Sequence, residues 1–441
     1  MISCPQRSRL EHRSLLPRAR RLTMSMFGAL WLLSACGPSE LNRTALQGDL
    51  PTLQHELQQA RTAGKLGESE TRSLALAVAR RELMSSKGDE GVERVRELRP
   101  CLNALASDFD ERASRGDAVA AAATLALLEA GRADRDALFD QYASSADPMW
   151  RAVAARAAVG AERKEQRTRY YLDGDLRVRR SAFYAALEAP DETELAALLE
   201  AGRLDPDPLV RSVAIRALGA IGSVRAVTSL RDLWATADDA SRQGIVDAWA
   251  TTPALEHGGR AELGWVLDTQ QGMPRVIAAA RLVALAGPEK TQALGVLERT
   301  LQAGPSDEQR LALLIAPKDA RLSALVEGLA QANDEDVAVL AAAALARDPA
   351  KRSQARQSLL GFAQSKRLWV ARQARAALVV LGEQSLAAAL KTELSSTRPE
   401  QRRQAAIDLL RLGRYADAAT ALADSAAAVR TQIACELLTR G

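Results

Sequence analysis

One residue frame recurs along most of this chain, and it restricts what the chain can fold into. Its clearest copy runs from Asp207 to Gly222, DPLVRSVAIRALGAIG. Taking Arg211 as reference, equivalent positions fall at Arg151, Arg179, Arg211, Arg242, Val276, Arg310, Ala338, Ala371, Arg402 and Arg430, at intervals of 28 to 34 residues. Arginine holds seven of these ten positions, and the residue three places later is apolar in all ten. Aspartate stands four places earlier at Asp147, Asp175, Asp207, Asp238 and Asp334. Each part has a local mechanical meaning. Asp207 suits a helix N-cap, Pro208 a first helical position where no N–H is needed, and Gly222 a helix end. Val210, Ala214, Ala217, Leu218 and Ile221 form one apolar helical stripe. Between copies lie partner helices with stripes of their own, such as Val227-Leu230-Leu233-Trp234. A single hairpin of this size cannot bury its own apolar face, so neighbours must stack into a continuous core.

The Asp-Pro-x-Val-Arg turn followed by an Ala/Leu helix resembles the second helix of a HEAT repeat. The resemblance covers about residues 116–441 and implies an all-α, right-handed α-solenoid of about ten hairpins. It also implies that the frame residues are structural, with the arginine bonding the turn aspartates of adjacent repeats. Asp147, Arg151, Asp175, Arg179, Asp207, Pro208, Arg211, Arg242, Arg402 and Arg430 are therefore read as structural positions. Residues 41–115 are helical in pattern but off the repeat, and read as an N-terminal cap over the end of the stack.

The N-terminus carries an address. Residues 1–35 hold six arginines and one acid, and Met24–Ala35 is an uncharged, mostly apolar run of 12 residues. A membrane span needs about 20 apolar residues, whereas a basic region followed by a short apolar one is the build of a secretory signal. The run ends in Leu33-Ser34-Ala35-Cys36, which resembles the lipobox of bacterial lipoproteins. That resemblance implies a signal peptide over 1–35, acylation of Cys36, a short tether over 36–40 and attachment to the membrane through acyl chains. Gly37, in place of an aspartate, favours the outer membrane. Cys101 and Cys435 remain in the body, 334 positions apart. In an elongated solenoid they could hardly meet, so they read as buried, inert thiols.

The basic balance of the whole chain comes from the leader. Beyond residue 35 there are 53 bases and 54 acids, which disfavours a nucleic-acid partner. Catalytic constellations are scarce. His55 and His257 are far apart, no phosphate-binding glycine loop or paired Cys-x-x-Cys occurs, and neighbouring acids such as Asp238-Asp239 sit at helix starts where capping accounts for them. No cofactor, metal or enzymatic activity is expected. Tryptophans at 150, 234, 249, 265 and 369 read mainly as core. The stretch 162–184 mixes bases with aromatics, and Arg167, Arg169, Tyr170, Tyr171, Arg177 and Arg180 form a candidate binding patch. The expected function is a lipid-anchored envelope scaffold whose curved surface binds another protein or peptide. The alternatives are a HEAT-like enzyme of the chromophore-lyase type and a lipoprotein contacting cell-wall polymer.

Overall fold

A computed structural model describes residues 39–440. Among these residues every regular element is a helix. Helix starts follow the sequence chemistry closely. The side chains of Asp147, Asp175, Asp207 and Asp238 accept N–H bonds from Met149, Arg177, Val210 and Ser241 at 2.7–2.9 Å. Pro148 and Pro208 occupy the first turn of their helices. Gly222 ends the helix Pro208–Ile221 in the left-handed region, φ 58°, where a Cβ would strike Pro253.

Consecutive hairpins stack side by side. The second helices of the hairpins form one series, each packed on the next: Gly88–Leu98, Ala118–Glu129, Pro148–Ala157, Leu176–Glu188, Pro208–Ile221, Asp239–Trp249, Met273–Leu285, Ser306–Ile315, Glu335–Leu345, Leu368–Val380, Pro399–Arg411 and Ala427–Thr439. Alanine and glycine at the joins let these helices approach closely. At Gly219, for example, a Cβ would lie 2.7 Å from the Cα of Ala248 on the next helix. The first helices of the hairpins pack on one another less extensively. The series with the shorter arc between neighbours is the inner one, so the second helices line the concave side.

The array does not end in two free faces. Ala427–Thr439 packs against Glu68–Ser85 and Gly88–Leu98, and Gly88–Leu98 in turn packs on Ala118–Glu129. Residues 41–440 thus close into a ring. The N-terminal helices do not cover an exposed end; they join the first repeat to the last. The joint is unusually polar for a helix interface. Arg430 and Glu82, 6% and 3% exposed, bond at 2.9 Å through Nε and 2.8 Å through a terminal nitrogen. Beside them Gln432 donates to Glu97 at 3.3 Å, and Gln54 donates to the carbonyl of Ala423 at 2.8 Å.

Cys101 and Cys435 meet at this joint and form a disulfide, with Cα atoms 5.2 Å apart. The expectation of two separate inert thiols was wrong. It assumed an open array, in which contact is made only between neighbours in sequence; closing the array brings position 101 to position 435.

Candidate binding surface

The repeat arginines join adjacent hairpins, as the resemblance to HEAT repeats implies. Most reach back to carbonyls of their own turn and forward to a carboxylate of the next repeat. Arg151 donates to Ser145 O at 3.1 Å and to Asp173 at 3.0 Å. Arg179 pairs with Asp205 at 3.0 Å, Arg211 with Asp238 at 3.3 Å, and Arg402 with Asp424 at 2.6 Å. Arg242 departs from the pattern, reaching Trp234 O at 3.5 Å and its own Asp239 at 3.7 Å. Arg430 finds its forward partner across the joint. It bonds the carbonyl of Asp424 at 2.6 Å and takes Glu82 from the first helices as its forward partner. The ring closes with the same rung that joins its repeats.

An inner helix is covered on three sides, by its hairpin partner and by its two neighbours in the series. Its remaining exposed stripe faces the enclosed space. On Pro208–Ile221 that stripe is Leu209, Ser212 and Arg216, at offsets −2, +1 and +5 from the reference arginine. The same offsets give Arg177, Arg180 and Tyr184 on Leu176–Glu188, Gln243 and Asp247 on Asp239–Trp249, Arg281 on Met273–Leu285, and Trp369 and Arg372 on Leu368–Val380. Several of these are tied into the wall. Arg180 pairs with Asp207 at 2.7 Å and Arg281 with Asp247 at 2.9 Å. The bond from Arg180 holds the Asp207 carboxyl below its usual range, with its N-cap bond from Val210 adding to the effect. Arg216 and Arg372 have no ion-pair or hydrogen-bond partner for their side chains.

Large apolar side chains are also exposed on the inner helices, and Leu209, Ile315 and Trp369 hold the stripe positions themselves. Of ten exposed large hydrophobic residues among the described residues, six lie on inner helices: Leu209, Leu314, Ile315, Leu368, Trp369 and Val380. Trp369 is 41% exposed, unlike Trp150, Trp234 and Trp249, which are buried as expected for core residues. Between Leu368–Val380 and Pro399–Arg411 a cavity of about 270 Å³ opens, bordered by Arg372, Gln373, Gln401 and Gln404, with the buried Asp408 at its back. Burial pushes the Asp408 carboxyl up despite a hydrogen bond from Gln404 at 3.0 Å.

The size of the enclosed space follows from helix packing. Twelve inner helices at roughly 9–10 Å between axes make a perimeter of about 110–120 Å. A circular path would leave a bore of roughly 25 Å after subtracting a helix width of about 10–12 Å. That is an upper bound, since a circle encloses the most space for a given perimeter. The Arg177 guanidinium is held above its ordinary range by its bond to Asp175, and further by the charges of Asp147 and Asp89. Asp89 and Arg177 belong to inner helices three steps apart.

The structure divides the binding patch anticipated between residues 162 and 184. Arg177 and Arg180 lie on the inner wall, but Arg167, Arg169, Tyr170 and Tyr171 belong to the hairpin's first helix and the turn after it. Arg167, 1% exposed, bonds both carboxylate oxygens of the buried Glu194 and the carbonyls of Ala158 and Ala189. Tyr171 donates to the same Glu194 at 2.9 Å, and burial with the neighbouring carboxylate drives its hydroxyl pKa far up. Tyr170 donates to Ala143 O at 3.1 Å. These three residues cement adjacent hairpins, and only Arg169 of that group remains exposed without a partner. The sequence pattern of base next to aromatic could not separate a surface patch from a buried ion pair, since both need the same residue types.

His55 and His257 are exposed and far from each other in the ring's order. Among the described residues no group of His, Cys, Asp and Glu is arranged to hold a metal ion, and no helix is long and apolar enough to cross a membrane. Cys36 and the residues before it, Leu33, Ser34 and Ala35, lie outside the described residues.

No curated protein matches the chain. Residues 165–250 match the family described as HEAT repeats. They take in the hairpins in which the Asp-Pro-x-Val-Arg frame is clearest. Together with the all-helical stack of hairpins, that match supports the chain as a HEAT-repeat protein.

Proposed function

We propose that this protein is an exported, lipid-anchored ring scaffold that holds a segment of another protein against its inner wall. The observation that carries the reading is the composition of that wall, where the exposed Leu209, Ile315 and Trp369 share the stripe with the unpartnered Arg216 and Arg372. Such a surface suits a partner presenting apolar and acidic side chains. A bore of at most roughly 25 Å takes a helix or an extended segment, about 10–12 Å wide in the helical case, and not a globular domain. The disulfide adds support for export, since such bonds persist in oxidising compartments. The apolar run ending in Cys36 supplies the proposed signal and anchor.

Photo-cross-linkers replacing Ser212 or Arg372 on the inner wall, and Thr228 or Arg299 on the outer helices, test the binding face in intact cells. Adducts of one size from the inner pair alone support the reading. Adducts from the outer pair alone, or none from any position, overturn it. Loss of palmitate labelling in Cys36→Ser tests the anchor separately.

A further inference from the structure

Away from the inner wall, the hairpin loops expose a second feature. Pro317 prevents the helix Ser306–Ile315 from continuing, and the chain leaves it at Ala316. The loop 316–319 that follows does not cover the apolar faces of the helices around it. A cleft of about 420 Å³ remains, walled by Leu313, Ala316, Leu322, Val326 and Leu345. Leu322 and Ala312 at its floor are buried, while Leu313, Val326 and Leu345 are half-buried and face open space.

The rim of this cleft carries two bases and two acids, and only the bases are left without a partner. Lys318 and Arg347 stand at the edge, exposed and without a hydrogen-bond or ion-pair partner for their side chains. The two rim acids are committed to their own backbone. Asp319 caps the helix Ala320–Leu329 by accepting from the N–H of Arg321 at 3.0 Å, and Asp348 accepts from the N–H of Ala350 at 2.9 Å. An apolar cleft of a few hundred Å³ with a small number of polar groups at its mouth is the usual build of a small-molecule site. Two uncommitted cations at that mouth select an anionic head group.

We infer that the cleft binds a free amphiphilic carboxylate, its hydrocarbon body against Leu313, Val326 and Leu345 and its head group between Lys318 and Arg347. The volume holds one such chain and is far too small to engage a membrane surface. This site does not depend on what the ring encloses.

Calorimetric titration of the folded, oxidised protein with laurate, below its micellar concentration, tests the inference. Saturable binding of one laurate per chain is expected, with dodecyltrimethylammonium binding at least tenfold more weakly. The double variant Lys318→Glu/Arg347→Glu should weaken laurate at least tenfold and remove the preference between head groups. Val326→Trp, which fills the cleft, should abolish binding while circular dichroism stays unchanged. If Val326→Trp unfolds the chain, Leu345→Phe serves in its place. Equal affinity for both head groups overturns the inference. So does undiminished laurate binding in the filled variant, or binding to phosphatidylglycerol vesicles without binding of laurate.

Discussion

Removing the covalent closure of the ring is the most informative perturbation. Cys101→Ser/Cys435→Ser deletes a bond that joins positions 334 residues apart. In the chain-entropy treatment a loop of that length restricts the unfolded ensemble by about 6 kcal/mol at 25 °C, while native disulfides more often contribute about 2–5 kcal/mol. The folded ring keeps its other closing contacts, including the buried Arg430–Glu82 pair and the bond from Gln54 to Ala423. The stability loss should therefore arise mainly in the unfolded state. Urea unfolding followed by circular dichroism and tryptophan fluorescence should show a lower midpoint for the double variant and for the reduced wild type, equal to each other. The unfolded chain should become larger by light scattering once the bond is gone, and the folded protein should keep its radius. Equal midpoints for oxidised and reduced protein would refute the closure argument. An expanded native radius after reduction would show that the polar joint cannot hold the ring by itself.

Other consequences are specific to single residues. Glu194→Gln strands the buried guanidinium of Arg167 and should destabilise by about 3–5 kcal/mol, read from the denaturant midpoint. Gly219→Ala drives a Cβ to 2.7 Å from Ala248 Cα and should destabilise by about 1–3 kcal/mol. Gly264→Ala meets nothing within 4 Å in the interior of the helix Gly259–Thr269 and should instead stabilise by up to about 1 kcal/mol. Acid should unfold the ring through its caps and rungs. The carboxyls of Asp117, Asp207 and Asp238 are held below their usual range, chiefly by bonds from Arg112, Arg180 and the Ser241 N–H respectively. Their contribution is complete above the unfolded value of about 3.9 and is lost as pH falls through the lower folded values. Asp408 has the opposite sign, because burial raises its value. Asp408→Asn should stabilise at pH 7, with a gain that shrinks as pH drops through the raised value toward the ordinary one, measured as thermal midpoint against pH.

The features legible in the residues are those with short-range causes. A capping aspartate, a proline in the first turn and an apolar stripe act within one helix, so the frame around Asp207 and Arg211 could be read directly, whereas the arginine rungs between successive repeats were implied only by the resemblance to HEAT repeats. The buried role of Arg167 and Tyr171 was not legible, since their meaning depends on Glu194 lying beneath them, 27 residues further on in the case of Arg167.

By itself the sequence determined the all-helical repeat and its caps. Only the tertiary structure decided that the array is a ring, that Glu82 completes the last rung, and that Cys101 meets Cys435. The physical reason lies in how curvature accumulates. Each join adds a small rotation set by side-chain volumes on two neighbouring helices, and closure needs roughly 30° at each of about twelve joins. No single repeat encodes that sum, and a few degrees less at each join would have left the ends apart and both cysteines unpaired.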